Sequence, residues 1–525
     1  MTSFVEVADQ RSVGRALAAL GGALVPAIGV VAFAARLVPV LQAGTLRGVQ
    51  GYDDGVHLAV AQRLIAGILP YRDELFLHPP GIAVVLAPVA ALAGPLGDSW
   101  SLVLARLAFM ALGAVNAMLV ARILAPRGLL AAGAGGLAYA LAGATVLAEH
   151  TMFLETPINL GLLVALGALT RAGTAAPAWA ARGMRRALLV AGLALGLVVT
   201  FKIWVVLDAV VLAALIFARW GAPAVMRFLG WCVVGAAPVV VPFLVAAPGR
   251  LLFDVVVVQS GRPGQGKGVL HRIGAVGLAA SLHLPWVDLL AGLIGAALLA
   301  AALGPVAAMA WRRTPARAWP DPVWWGLLAG LQLGALALAP SYYPHYAAFA
   351  APALCLLLGA GTGHLAAALR ARGSGAAQGG LRTLVIALVA VALVVPLVRP
   401  PLSRAGRVDN AALAQFAAAH DCLWVRNPSY LQVADATARQ LRRRCPATMD
   451  LVGAWLVLDR GGTVPGSDAT SIDDLILGQL AGSDGALLVA GHPTQGFGPL
   501  SRAYLAKHFV RVGTTGEIEM WTRSP

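Results

Sequence analysis

The chain has 525 residues, 59% hydrophobic and 12% charged, with a formal net charge of +15. Soluble domains carry roughly 25% charged residues, so a water-soluble globule is excluded. From Arg404 onward 12 basic residues face 11 acidic ones, whereas the first 403 residues hold 27 and 13. That excess sits mainly in short connections between apolar runs, which is the positive-inside bias of a membrane protein rather than a nucleic-acid surface.

A spanning helix needs about 20 apolar residues. The runs predict about eleven spans, near 15–42, 101–125, 128–147, 157–171, 187–201, 203–219, 227–247, 285–310, 323–340, 346–370 and 382–399. The first run, Ala16 to Leu41, lacks a small-residue cleavage site after a short core and reads as a retained helix. The run from Pro79 to Leu96 is interrupted by Pro88 and Pro95 and reads as a partial or re-entrant helix. With the N-terminus cytoplasmic, the arginine clusters between spans fall on one side. The acidic first outer loop (43–100), the segment Glu149–Glu155, the 248–284 loop, Ser341–His345 and the tail then share the outer face.

Within the first loop, Asp53, Asp54, Asp73 and Glu74 gather beside His57, Arg63, Arg72 and His78. Val56, Val60 and Leu64 recur at four-residue spacing, which predicts a short amphipathic helix at the membrane surface. An Asp ahead of that helix is an ordinary N-cap, which accounts for one of the pair. Two adjacent acids also suit a general base or a cation ligand.

Glu149, His150 and Glu155 follow between two spans, where ionisable groups are functional candidates unless they merely face water. Lys202 stands between two apolar runs, in a chain whose other lysines are Lys267 and Lys507. Either it snorkels to the headgroups or it meets a lipid phosphate. Tyr342, Tyr343 and Tyr346 fit an interfacial aromatic belt, but the inserted Pro344-His345 does not follow from a belt. Arg63, Arg262, Lys267, Arg272 and His78 offer further positive charge on that face. Walker, GxSxG, CxxC and HExxH signatures are absent from the sequence.

After Arg399-Pro400-Pro401 the pattern changes. Asn410–His420 and Tyr430–Arg444 read as helices; Leu423–Val425, Trp455–Leu458 and Leu487–Ala490 read as strands, with a closing hairpin at Val510–Arg511 and Ile518–Trp521. The expected organisation is a polytopic α-helical membrane domain over 1–400 and a small extracytoplasmic α/β domain over 401–525. Cys232 and Cys355 fall in apolar runs; Cys422 and Cys445 can pair if the tail is outside the cytoplasm.

The ordered segments resemble the GT-C superfamily of integral-membrane glycosyltransferases that use polyprenyl-phosphate sugars, in the branch around protein O-mannosyltransferases and lipid A aminoarabinose transferase. The resemblance covers about residues 10–400. It rests on Tyr52-Asp53-Asp54-Gly55, Ala61-Gln62-Arg63-Leu64, Pro70-Tyr71-Arg72-Asp73, His78-Pro79-Pro80-Gly81, Glu155-Thr156-Pro157, Lys202 and Tyr343-Pro344-His345-Tyr346. It implies a GT-C-like fold and an inverting hexosyl- or pentosyltransferase in a bacterial inner membrane, moving sugar to an envelope glycan, lipid or protein. Asp53 or Asp54 would be the catalytic carboxylate, the family's usual Asp-Glu pair being replaced here by Asp-Asp. Lys202, Tyr343, His345, Tyr346 and Arg63 would hold the donor phosphate. Glu149, His150, Glu155, His78 and Asp73 would shape the acceptor or substrate pocket. It implies no nucleotide site and no certain cofactor; a divalent cation held by Asp53 and Asp54 stays open. The rival reading is a transporter or flippase of lipid-linked sugar, although no internal repeat of the kind such proteins favour is evident. A third reading leaves the tail as a binding scaffold.

Overall fold

In the computed structural model, which describes residues 2–173, 177–264, 314–373 and 404–525 with scattered positions from 268 to 384, the chain is mostly helical. The amino-terminal helices are α1 (Thr2–Ala43), α2 (Asp53–Ile65), α3 (Gly81–Ala91), α4 (Ala93–Leu96), α5 (Asp98–Leu124), α6 (Leu129–Leu141), α7 (Gly143–Glu149) and α8 (Glu155–Gly173). There follow α9 (Pro177–Val199), α10 (Val205–Trp220), α11 (Ala222–Ala246), α12 (Pro248–Leu252) and a π-helical turn, Phe253–Val258. After them come α13 (Asp321–Leu338), a 3-10 segment Pro344–Ala350, and α14 (Ala351–Ala371).

Four stretches among the described residues are long and apolar enough to cross a membrane: Gly22–Ala43, Asp98–Arg127, Ala222–Ala246 and Pro344–Ala371. The pair α6 and α7, bent by 55°, makes a fifth if it is one span. Nine of the expected spans coincide with helices; 285–310 and 382–399 lie almost wholly outside the described residues, as does Lys267. The protein is integral to the membrane. Small residues let helices meet closely: a Cβ on Gly135 of α6 would come 2.9 Å from Cys355 O, and one on Gly359 of α14 would come 2.7 Å from Ala131 O.

Buried charges tie the bundle together. Arg36 of α1 pairs with Glu149 at the end of α7. That carboxylate also accepts from Asn116 Nδ2 of α5 (3.1 Å) and Tyr139 Oη of α6 (2.7 Å), and Tyr139 is reached in turn by Asn159 of α8 (2.9 Å). Five helices thus share one polar knot, which leaves the charges paired and hydrogen-bonded in a low-dielectric interior.

The carboxyl-terminal part contains α15 (Asn410–Ala418), β1 (Leu423–Val425), α16 (Ser429–Val433), α17 (Thr437–Arg443), α18 (Leu451–Leu458), α19 (Ile472–Ala481), β2 (Gly485–Val489), α20 (Pro499–His508), β3 (Phe509–Thr515) and β4 (Ile518–Arg523). The sheet order is β1-β2-β4-β3, with β1 parallel to β2 and the other pairs antiparallel. Cys422 and Cys445 form a disulfide.

Three sequence expectations are corrected. Helix α2 is not a surface helix: Asp54 through Gln62 are all buried, so its polar residues face protein rather than headgroups. Pro88 lies inside α3 and the break falls at Leu92 instead. Trp455–Leu458 is helical, not a strand, because Asp450 caps the segment by accepting from Gly453 N.

Candidate active site

Neither acid of the Asp53-Asp54 pair serves as an N-cap; both are in the first turn of α2, after Tyr52. One helical step of about 100° sends them to different surroundings. Asp54 is fully buried. Its Oδ2 accepts from Arg106 of α5 at 2.5 and 3.1 Å and from Thr151 at 2.9 Å, and its Oδ1 accepts from Ser429 at 3.1 Å. Its hydrogen-bonding capacity is largely used.

Asp53 is half-buried and has no hydrogen-bond or ion-pair partner among the described residues. Charged and polar groups within its electrostatic reach are His345, Asp450, Arg262 and Glu155. Burial holds its carboxyl above the usual carboxylate range; His345 and Arg262 oppose that rise, while Asp450 and Glu155 reinforce it.

Lys202 sits at a break between α9 and α10. Its ammonium is 2.7 Å from Glu155 Oε1 and lies over the rings of Tyr346 (3.7 Å to the centroid) and Trp204 (4.2 Å). Glu155 Oε2 is buried without a partner among the described residues. The break is tied to the acidic loop, since Gly81 N donates to Thr200 O at 2.8 Å. His345 stacks on Phe153 at 4.0 Å and meets Tyr346 edge-on at 4.7 Å, with Tyr343 5.9 Å away. Arg262 lies in the segment after the π-helical turn, within reach of Asp53, Lys202, His78 and Tyr346; its Nε is buried and has no partner among the described residues.

His78 packs edge-on against His57 at 5.5 Å. Burial, then the neighbouring His57, Arg262, Lys202 and His345, hold its imidazole well below the ordinary histidine range. His78 therefore adds no positive charge at neutral pH, unlike the sequence expectation. Its loop is braced by Tyr71 Oη donating to His78 O at 2.5 Å and Gln259 Nε2 donating to Leu77 O at 2.8 Å.

Asp53, Glu155, Lys202, Tyr343, His345, Tyr346 and His78 thus come together. Four other candidates do not join them. Arg63, about 15 Å along α2 from Asp53 at 1.5 Å per residue, is paired with Glu74. Asp73 is exposed, ion-paired to Arg72 and accepting from Leu69 N in a surface turn. Glu149 is fully buried in the Arg36 knot, so it faces no pocket. His150 is buried with its Nδ1 against Leu147 O at 2.7 Å.

Sequence reasoning missed Arg106, Arg36 and Asp450. The first two lie inside predicted or observed spans, and an arginine at that depth demands a carboxylate partner. No group of three His, Cys, Asp or Glu residues among the described residues is arranged to hold a metal. Asp54, engaged by Arg106, is not free to share a cation with Asp53.

This architecture, a helical membrane bundle followed by a small mixed sheet, shares its fold with solved structures of ArnT and of an archaeal oligosaccharyltransferase. The structure of ArnT from Cupriavidus metallidurans bound to undecaprenyl phosphate aligns with a TM-score of 0.60 at 18% identity, over 94% of this chain and 99% of that one. The oligosaccharyltransferase of Archaeoglobus fulgidus in its apo form aligns with a TM-score of 0.55 at 13% identity, over 96% and 74%. The Archaeoglobus fulgidus oligosaccharyltransferase AglB in complex with an inhibitory peptide and a dolichol-phosphate gives 0.50 at 12%, over 80% and 63%. No sequence-family model matches the chain, and no curated protein sequence does.

Proposed function

We propose that the chain is a membrane glycosyltransferase moving a hexose or pentose from a polyprenyl-phosphate donor to a glycan, lipid or protein acceptor of the cell envelope. The observation that carries this reading is Asp53: a carboxylate without a hydrogen-bond partner among the described residues, beside a cationic and aromatic cluster of Lys202, Arg262, His345 and Tyr346. The likeness in fold to ArnT with undecaprenyl phosphate supports the donor class.

On this reading the acceptor hydroxyl oxygen attacks the anomeric carbon as Asp53 takes its proton. The bond from that carbon to the phosphate oxygen breaks, its electron pair leaves with polyprenyl phosphate, and the sugar is inverted. Lys202 and Arg262 offset the charge that grows on the leaving phosphate, and His345 donates a hydrogen bond to it. The Lys202 ammonium exchanges part of its contact with Glu155 for the phosphate when donor arrives. Tyr343 and Tyr346 flank the phosphate, and His78 and Glu155 line the substrate side.

About eleven spans would put the N-terminus in the cytoplasm of a bacterial inner membrane and residues 401–525 outside it; the Cys422–Cys445 disulfide fits an oxidising compartment. The test is purified protein in lipid vesicles, offered a panel of radiolabelled polyprenyl-phosphate sugars and envelope acceptors. Label appearing in an acceptor supports the transferase. Label that only crosses the bilayer, with no acceptor modified, overturns it in favour of a flippase.

A further inference from the structure

Residues 51–55, which carry the catalytic aspartate of the proposed transferase, are held on one side by Arg106 and Thr151 through Asp54 and on the other by the carboxyl-terminal part of the chain. Gly51 O accepts from Asn427 Nδ2 at 3.2 Å and from Ser429 Oγ at 3.0 Å, and Gly55 O accepts from Gln432 Nε2 at 2.9 Å. A Cβ on Gly55 would come 2.9 Å from Ser429 Cα, so helix α16 lies directly against α2. A second set of contacts comes from the start of α18. The Tyr52 hydroxyl donates to Asp450 Oδ1 at 3.1 Å and accepts from Val452 N at 3.2 Å. Asp450 is 7% exposed and its Oδ1 also accepts from Gly453 N at 2.8 Å, so its rotamer is fixed by the helix it caps.

We infer that Asp450 is a positioning residue for Asp53, acting through Tyr52 and through its own charge, so that the catalytic site is composite and the carboxyl-terminal domain is part of it. This inference rests on the transferase reading. Tyr52 and Asp53 are consecutive, and fixing the phenol at its tip fixes the first turn of α2 from which the Asp53 side chain departs. Asp450 is also an acidic group within electrostatic reach of Asp53. It favours proton uptake by the base at the moment the acceptor hydroxyl gives its proton up, as like charges do. The other groups facing Asp53 are His345 from the 3-10 segment, Arg262 from the segment after the π-helical turn, and Glu155 from α8. Asp450 is the contribution of the carboxyl-terminal part to that set.

Two variants of the full chain separate the parts. Asp450→Asn keeps an N-cap, because Asn caps about as well as Asp, and keeps an oxygen for Tyr52, but removes the charge. Tyr52→Phe removes only the hydroxyl. Both are assayed in vesicles for donor binding and for kcat and KM across pH. The expected result for Asp450→Asn is unchanged donor binding and an acidic limb of kcat/KM moved to lower pH by roughly half a unit or more. Tyr52→Phe is expected to lower kcat roughly tenfold through loss of orientation, with donor binding and the acidic limb unchanged. Variants whose pH profile and kcat superimpose on the wild type overturn the inference while leaving the transferase reading intact. Absence of transfer by the wild type from every donor overturns the reading and the inference with it.

Discussion

Asp53 and Asp54 are neighbours in sequence and opposites in structure: Asp54 is fully buried against Arg106, its Oδ2 2.5 Å from a guanidinium nitrogen, while Asp53 has no such partner among the described residues. The same substitution should therefore fail in different ways at the two positions. Asp54→Asn leaves Arg106 buried beside a neutral group, a loss of about 3–5 kcal/mol by analogy with broken buried pairs. Asp53→Asn relieves a burial cost and leaves stability unchanged or slightly higher. Thermal unfolding in detergent distinguishes the two: a clear fall in Tm for Asp54→Asn and none for Asp53→Asn.

The pH dependence follows from the direction of the Asp53 shift. A base must be ionised to act, and burial raises its pKa above the ordinary carboxylate value. The rate constant kcat/KM should accordingly fall as pH drops through that raised pKa, at higher pH than a solvent-exposed aspartate would give. Steady-state rates over the acidic range check it; an acidic limb at the ordinary aspartate value would contradict the assignment.

Lys202 is shared between Glu155 and two aromatic faces, so its charge is poised rather than free. Lys202→Met should weaken polyprenyl-phosphate binding by about 1.5–3 kcal/mol, the worth of a hydrogen bond to a charged group. Lys202→Arg should also be impaired, since a planar fork does not occupy the cage of a compact ammonium. Glu155→Gln removes the competitor and should tighten binding of polyprenyl phosphate alone. Titration of the lipid phosphate against each variant reads all three.

Away from the site, Asp208 of α10 is fully buried and accepts from Gln332 Nε2 of α13 at 2.9 Å; its other oxygen has no partner among the described residues. No cation is paired with it among the described residues. Asp208→Asn keeps an oxygen for Gln332 and should preserve stability and transfer. Asp208→Leu strands the amide and should cost about 1–3 kcal/mol. The unfolding temperatures of the two variants give the comparison.

The convergence of Asp53, Glu155, Lys202 and the Tyr343–Tyr346 segment was legible because each follows or precedes an apolar run at a place where the charge bias puts it on one face. The division of labour between Asp53 and Asp54 was not, because it depends on Arg106, fifty-two residues on and inside a span that reads as plain apolar sequence. Arg63, Asp73 and Glu149 misled for a related reason. A charged residue near a site in sequence finds its partner by geometry, and Glu74, Arg72 and Arg36 are those partners. In the tail, β1 and the closing hairpin were readable from short apolar runs between turn residues. The segment Leu451–Leu458 was misread because Val, Trp and Leu suit a strand, and the capping Asp450 ahead of it outweighs that preference.

The most direct measurement of the central claim is a single turnover with donor pre-bound, following polyprenyl phosphate released and acceptor glycosylated, for the wild type and Asp53→Asn. The account predicts equal amounts of both products from the wild type, and from Asp53→Asn donor binding at wild-type affinity with release and transfer lost by at least a hundredfold, on the order expected for a missing general base. Transfer by Asp53→Asn at the wild-type rate would contradict it, and the base would have to be sought elsewhere in the site.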